Sequence, residues 1–390
     1  MTLSTPRIAL VILALWLAGL GAAAQFSKIA IPFALFQAQY PDAGWQLGWL
    51  LSIISFLGML LGMTGGIFVA RLGFVRPLMG ALILGAVLSW RQASLPPLPE
   101  MLVLRLVEGA SHLTIVIAAP TLIGMIAPTQ WRGAAMTLWS SFFGVAFALT
   151  TVFGLPLAQA HGLGALLNAH ALWMMGTALV LAIALKGVQA PTSTRRVTFR
   201  GLVHEHLRAY GSASITAPAW GWLPYTATFV AGLAILPSLL PDDSRVLIAT
   251  AMPLLAIATS LVAVPVLLRA FSATRIAIAG FILAAAISLL GALGLSLPIL
   301  CPLLFATLGL VQGGSFAAIP QLNSVAPDQA LANGAMAQTG NLGNMLGTPV
   351  LLAILSWGGD RVLMASLGLL YLFGALAHVH LGRRRAQVAV

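Results

Sequence analysis

Residues 106–111 read Leu-Val-Glu-Gly-Ala-Ser, and residues 310–315 read Leu-Val-Gln-Gly-Gly-Ser, an offset of 204 positions. Two further pairs follow in the same order. Ile-Ala-Pro at 126–128 matches Val-Ala-Pro at 325–327, and Ala-Met at 135–136 matches Ala-Met at 335–336. Three matches in one order predict that the chain consists of two related halves.

The composition around these repeats is that of a membrane protein. Apolar residues make up 60% of the 390 residues and charged residues 7%, against about 25% charged in ordinary soluble domains. A membrane-spanning helix needs about 20 mostly apolar residues. Twelve segments fit this description: Ile8–Phe36, Leu47–Ala70, Arg76–Gln92, Pro99–Ala127, Gly133–Leu155, Ala165–Lys186, Thr216–Leu240, Arg245–Leu268, Ala273–Leu295, Pro298–Val325, Ala330–Leu355 and Arg361–Leu381. The sequence therefore predicts an all-α membrane protein with twelve transmembrane helices.

One polar segment divides these helices into six and six. Residues 187–211 contain four arginines and two histidines. We therefore predict an N-terminal six-helix bundle at 1–186, a cytoplasmic linker at 187–211 and a C-terminal six-helix bundle at 212–390. Two parallel repeats of this kind place a solute site between the halves, near the middle of the membrane.

The loop charges predict the orientation in the membrane. With the N-terminus inside, 14 of the 19 basic residues fall on the inner side. The outer side then holds five of the eight acids. Because basic loops stay in the cytoplasm, both termini are predicted there. We expect a multi-pass protein of a bacterial inner (cell) membrane.

Two short motifs resemble those of the major facilitator superfamily. Residues 66–73 read Gly-Ile-Phe-Val-Ala-Arg-Leu-Gly and resemble that family's Gly-x-x-x-Asp-Arg-x-Gly loop, with alanine in place of the aspartate. Residues 105–109 read Arg-Leu-Val-Glu-Gly and resemble its Arg-x-x-Gln-Gly pattern, with glutamate in place of glutamine. With twelve predicted helices in two halves, the resemblance extends over the whole chain.

This resemblance implies a fold and several roles. The fold is two pseudo-symmetric six-helix bundles that work by alternating access, with the first, fourth, seventh and tenth helices around a central cavity. Gly66, Arg71, Gly73 and Arg76 would form the short basic turn that braces the cytoplasmic gate. The expected activity is secondary active transport of a solute.

Three charged residues lie well inside predicted spans, away from the span ends: Lys28, Arg105 and Glu108. A bare charge near the bilayer centre costs about 2.5–3.5 kcal/mol on insertion scales, so such residues pair or face water. At 1.5 Å per residue, Lys28 lies about 30 Å along the first helix, and Glu108 and Arg105 lie about 29 and 33 Å along the fourth, measured back from its inner end. The three charges should share one level, and His112 shares the helical face of Arg105 and Glu108.

We interpret this cluster as the site of proton-coupled transport of a small organic anion. Lys28 and Arg105 would bind the anion, and Glu108 would carry the proton, with His112 as a relay. One alternative is a structural ion pair, and another is Lys28 reaching the membrane surface. A third uses Glu108 for proton exchange in an exporter of drug-like or amphipathic compounds.

The second half offers neutral candidates for solute binding. Tyr225 belongs to an aromatic face with Trp222 and Phe229, and its hydroxyl needs a polar partner. Gln312 occupies the repeat position of Glu108. Asn341 lies in an amide series at 338, 341 and 344. Packing and helix–helix hydrogen bonding are the alternative roles for the aromatic and amide residues.

Enzymatic patterns are absent from the sequence. There is no His-Glu-x-x-His pair, no phosphate-binding Gly-x-x-x-x-Gly-Lys loop and no acidic metal cluster. We therefore expect no enzymatic activity, no cofactor and no metal. The predicted partners are a small-molecule solute, protons and the lipid bilayer, without nucleic acid, and we expect a monomer.

Overall fold

A computed structural model describes residues 5–62, 64–65, 69, 72–128, 135, 138–139, 141–187, 199–324 and 326–388. All regular elements within these ranges are helical. The main helices are α1 (Thr5–Ala30), α2 (Pro41–Leu61), α3 (Val75–Gln92), α4 (Leu98–Ile126), α5 (Phe142–His161), α6 (Leu163–Ala184), α7 (Phe199–Gly211), α8 (Ala213–Leu239), α9 (Asp242–Leu267), α10 (Ala273–Ala292), α11 (Leu297–Leu322) and α12 (Ala326–Val388).

Ten helices in the described ranges are long and apolar enough to cross a bilayer. The last of them, Leu331–Gln387, has 57 residues, far more than the roughly 20 that one crossing needs. Gly359 interrupts it with φ 73° and ψ −171°, a conformation that glycine adopts easily. The α3 helix, with 18 residues, is not among the ten. The protein is thus a multi-pass integral membrane protein, and the total of twelve spans stays a prediction.

The first predicted segment, Ile8–Phe36, is not one continuous helix. The α1 helix ends at Ala30, a turn follows at Ile31 and Pro32, and a short helix covers Phe33–Gln39. Proline lacks the backbone N–H that a continuing helix would use, which accounts for the break. Lys28 therefore lies in the last turn of α1.

The chain forms two compact units. The first consists of Met1–Tyr40 and Thr64–Val197, and the second of Pro41–Met63 and Thr198–Val390. The α2 helix thus belongs to the second unit, whereas the sequence prediction placed it in an N-terminal bundle at 1–186. The boundaries 1–186, 187–211 and 212–390 stay a prediction, and residues 188–198 of that linker lie outside the described residues.

Helix packing within each unit depends on small residues. In the first unit, α1 and α3 each pack on both α4 and α6. In the second, α2 lies against α12, where Gly58 faces the side chain of Asn341 and Gly48 faces the backbone at Pro349. Glycine permits this close approach of two helix backbones in a membrane.

Candidate functional site

The predicted charge cluster lies inside the first unit, where four helices contribute to it. Lys28 comes from the end of α1, and Arg105 and Glu108 come from α4. All three are buried, with 1%, 0% and 0% of their surface exposed. Lys28 thus does not reach the surface, so that alternative is wrong. The family resemblance implied that these three residues line a central cavity. In this structure they are instead buried among α1, α3, α4 and α6.

The Lys28 ammonium has three hydrogen-bond contacts. Its Nζ lies 2.6 Å from Glu108 Oε1, 2.8 Å from Ser89 Oγ and 3.3 Å from His170 Nδ1. Ser89 belongs to α3 and His170 to α6, so the ammonium joins side chains from three other helices. An ammonium has three N–H donors, and each of them has an acceptor here.

The Glu108 carboxylate is the shared acceptor of the network. Its Oε1 binds Lys28, and its Oε2 accepts from Gln92 Nε2 at 2.8 Å and from Arg105. The two cations and one carboxylate leave a formal charge of +1 in a site removed from water. Burial of a charge is tolerated only where pairing and hydrogen bonding compensate the lost hydration, as they do here. The expectation that these three charges meet is confirmed, while their roles toward solute and proton stay predictions.

A second polar layer lies beside this network, between α1, α3 and α4. Gln25 Nε2 donates to Ser111 Oγ at 2.9 Å, and Ser111 Oγ donates to the carbonyl of Ala81 at 2.7 Å. Gly85 lies directly against Gln25 and Ser111, where a larger residue would collide with both. This glycine allows α3 to approach the polar face of α1 and α4.

His112, the proposed proton relay, is buried one turn beyond Glu108. Its Nδ1 lies 3.0 Å from the carbonyl oxygen of Ala22, and its ring packs edge-on against Phe26 at 5.0 Å. These contacts connect His112 to α1 rather than directly to the carboxylate of Glu108. Its role as a relay stays a prediction.

In the second unit, Tyr225 and Gln312 come together. The Tyr225 hydroxyl donates to Gln312 Oε1 at 3.2 Å. The ring of Tyr225 stacks on Trp222 at 4.3 Å and on Phe229 at 5.0 Å, so the predicted aromatic face exists as one continuous stack. Asn341 Nδ2 instead donates to the carbonyl of Ala337 in its own helix at 2.8 Å, which fits the packing alternative.

The four gate-loop residues are only partly described. Gly66 and Arg71 lie outside the described residues. Gly73 has φ 73°, in the left-handed region that favours glycine, just before α3 begins. Arg76 is exposed in the first turn of α3. The role of this loop as a gate stays a prediction.

Three residues of the network were not predicted from the sequence: Ser89, Gln92 and His170. Ser89 and Gln92 are three residues apart, so they lie on one face of an otherwise apolar helix, and that spacing was the available signal. His170 is a single histidine in an apolar helix, and nothing in its surroundings along the chain distinguishes it.

Comparisons with known proteins give one partial similarity. No family model matches the chain. Over 144 residues the chain is 33% identical to solute carrier family 2, facilitated glucose transporter member 2, from Sus scrofa. The match covers 36% of this chain and 26% of that protein, so the chain spans about a quarter of the length of the curated relative it matches.

Proposed function

We propose that this chain is a proton-coupled secondary transporter of the major facilitator superfamily that moves a small organic anion by alternating access. The observation that carries the proposal is the buried Glu108 carboxylate, bound by Lys28, Arg105 and Gln92 among membrane helices. Ionisable groups at such depth characterise ion and solute pathways. The partial similarity to a protein named as a facilitated glucose transporter supports transport in general.

The geometry suggests how proton and anion would be coupled. In the closed arrangement Glu108 is the counter-charge of both Lys28 and Arg105. A proton on Glu108 removes that counter-charge and raises the formal charge of the trio from +1 to +2. An anionic solute restores the balance, because charges interact strongly where water is excluded. Proton and anion therefore bind together, and the solute reaches the cations in a second conformation that opens the network.

The second candidate is a proton-antiport exporter of drug-like or amphipathic compounds. One specific observation favours it: both cations are already paired with Glu108, while the second unit carries the stack of Trp222, Tyr225 and Phe229. Aromatic faces bind planar apolar groups, and the Tyr225 hydroxyl and Gln312 add polar contacts. In this case Glu108 serves proton exchange alone.

Uptake into liposomes separates the two candidates. Purified protein is reconstituted, a pH gradient of either direction is imposed, and accumulation of radiolabelled small carboxylates is compared with that of a fluorescent amphipathic cation. The proposal predicts that an inward proton gradient drives accumulation of the carboxylate inside the liposomes, and that Lys28→Ala abolishes this accumulation. Export of the amphipathic cation without carboxylate transport supports the second candidate, and no gradient-driven flux of any solute contradicts both.

The proposal also assigns a membrane and an orientation. We place the protein in a bacterial inner membrane with both termini in the cytoplasm, because most basic residues fall on that side. We expect a monomer without cofactor, nucleic-acid partner or enzymatic activity.

A further inference from the structure

His170 is a buried side chain of α6 that the proposed mechanism has not yet used. Its Nε2 lies 2.9 Å from the carbonyl oxygen of Gly21. Its Nδ1 lies 3.3 Å from Lys28 Nζ and 2.8 Å from Ser89 Oγ. The ring thus spans two points of α1 that are seven residues apart, and it also contacts α3.

These contacts define the protonation of the ring. A carbonyl oxygen only accepts hydrogen bonds, so Nε2 carries a hydrogen and donates to Gly21. An ammonium only donates, so Nδ1 accepts from Lys28 at 3.3 Å. The Ser89 hydroxyl donates to the same nitrogen at 2.8 Å, in competition with the carbonyl of Leu167 at 3.0 Å. A neutral imidazole has one donor and one acceptor nitrogen. The contact with Gly21 uses the donor, and Lys28 and Ser89 share the single lone pair of Nδ1. The ring is therefore neutral, with its hydrogen on Nε2.

The charged groups around this ring make its neutral form necessary to the network. Lys28 faces it from α1, and Arg105 and Glu108 act on it from α4. An imidazolium there would place a third cation beside Lys28 and Arg105 and would remove the acceptor at Nδ1. The neutral ring does the opposite, because it supplies the third of the three acceptors around the ammonium.

We infer that His170 is a positioning residue of the coupling site, which holds Lys28 at the point where it pairs with Glu108. The inference rests on the proposed function and extends it to α6. The hydrogen bond to Gly21 orients the His170 ring. The ring in turn positions the Lys28 ammonium, which pairs with the Glu108 carboxylate. Displacement of α6 from α1 would break this chain of contacts and release Lys28 from its closed position.

Three variants test the inference by transport. In His170→Asn the side-chain oxygen can occupy a position close to that of Nδ1 and accept a hydrogen bond from Lys28. In His170→Ala the side chain has no hydrogen-bond acceptor. The matched control is His378→Asn, a histidine 1% exposed in the second unit whose two ring nitrogens have no hydrogen-bond partner among the described residues. We expect His170→Ala to lower gradient-driven transport about tenfold to a hundredfold, as for a lost hydrogen bond to a charged group. His170→Asn should recover most of it, and the control should match wild type.

A structural role would give another pattern. Equal losses in His170→Asn and His170→Ala, with a lowered Tm and an unchanged pH profile of transport, would assign His170 to packing alone and overturn the inference. Wild-type transport by His170→Ala would also overturn it.

A spectroscopic measurement separates this inference from the proposed function. Nitrogen NMR of protein with ¹⁵N-labelled histidine should show a neutral ring protonated at Nε2, assigned to His170 by its loss in His170→Asn. This signal should shift in Lys28→Met. A signal protonated at Nδ1, or one that does not respond to Lys28→Met, overturns the positioning role. The expected signal in a wild-type protein without gradient-driven flux supports the contact and refutes the proposed function instead.

Discussion

Replacement of Glu108 by glutamine should be the most destabilising single substitution in the buried network. Glutamine keeps the size and one acceptor, but it removes the counter-charge that Lys28 and Arg105 share. The formal charge of the trio rises from +1 to +2 in a site with at most 1% exposure. Loss of one partner of a buried ion pair costs about 3–5 kcal/mol, and we expect the upper end because two cations lose the same partner.

Lys28→Met is the informative comparison, because it removes a cation and keeps the length of the side chain. Glu108 still has Arg105 and Gln92, and the formal charge of the trio falls to zero, so no buried charge is left uncompensated. The loss should therefore be smaller, about 1–3 kcal/mol for acceptors left without a donor. In the double variant no carboxylate and only one cation remain. Its loss should be smaller than the sum of the two single losses by about 0.5–3 kcal/mol, as for residues in direct contact.

Reversible unfolding in mixed micelles measures these differences as shifts of the denaturation midpoint at constant slope. The matched control is Glu100→Gln, the same substitution in an ion pair with Arg91 in which both side chains are more than 40% exposed. Exposed pairs contribute about 0–1 kcal/mol, so the control should remain close to wild type. Losses that add in the double variant, or a Glu108→Gln loss no larger than that of Lys28→Met, would refute the reasoning.

Tyr225→Phe removes the hydrogen bond to Gln312 and keeps the aromatic stack, so it should cost about 0.5–1.5 kcal/mol of stability. The KM for the solute should rise about two- to tenfold in initial-rate uptake, and an unchanged KM would remove Tyr225 from the site. Gly347→Ala places a methyl group against the backbone of α8, so it should lower stability by about 1–3 kcal/mol. The control is Gly176→Ala, where the added methyl group meets open space and stability should not fall. Equal effects of the two substitutions on thermal unfolding would contradict this prediction. The orientation is tested with a cysteine introduced at position 200 of a chain whose native cysteine is replaced. This cysteine should react with a membrane-impermeant maleimide only after the cells are opened. Labelling in intact cells would reverse the proposed orientation.

The common level of Lys28, Arg105 and Glu108 could be predicted because depth depends on helix length alone. Their meeting was expected from the resemblance, which places the first and fourth helices around one cavity. The rise per residue of an α-helix is fixed, so distance from a helix end gives depth in the membrane. A bare charge at that depth is costly, so the sequence indicated that these residues either pair or face water, without deciding between the two. Which oxygen binds which cation required the structure.

The neighbours of these charges could not be predicted in the same way. Ser89 and His170 contact Lys28 because α3 and α6 pack beside α1 and α4, and the order of helices around a bundle is not contained in the periodicity of any one of them. The same limit applies to exposure. Depth along a helix does not determine whether a side chain faces a cavity or the interior of a bundle, so the sequence could not decide between a solute site at Glu108 and the alternative of a structural ion pair.

Breaks within apolar stretches were partly readable. The break of α1 before Pro32 was missed, because Ile8–Phe36 was predicted as one segment despite this proline. Gly359 divides α12 at a backbone conformation that favours glycine, and it lies just before the predicted start of the last segment at Arg361. By contrast, the grouping of Pro41–Met63 with the second unit depends on contacts such as that of Gly58 with Asn341, which have no counterpart in local sequence pattern.

Solute-driven proton movement through Glu108 tests the central claim most directly. Liposomes contain the protein and a trapped pH-sensitive dye, and the pH is equal inside and outside. A carboxylate solute is added outside, and the internal pH is followed. In wild type the account predicts acidification of the lumen as proton and anion enter together. In Glu108→Gln, measured at a temperature at which this destabilised variant remains folded, it predicts no pH change, although exchange of labelled solute for unlabelled solute continues. Acidification by Glu108→Gln at the wild-type rate would contradict the account.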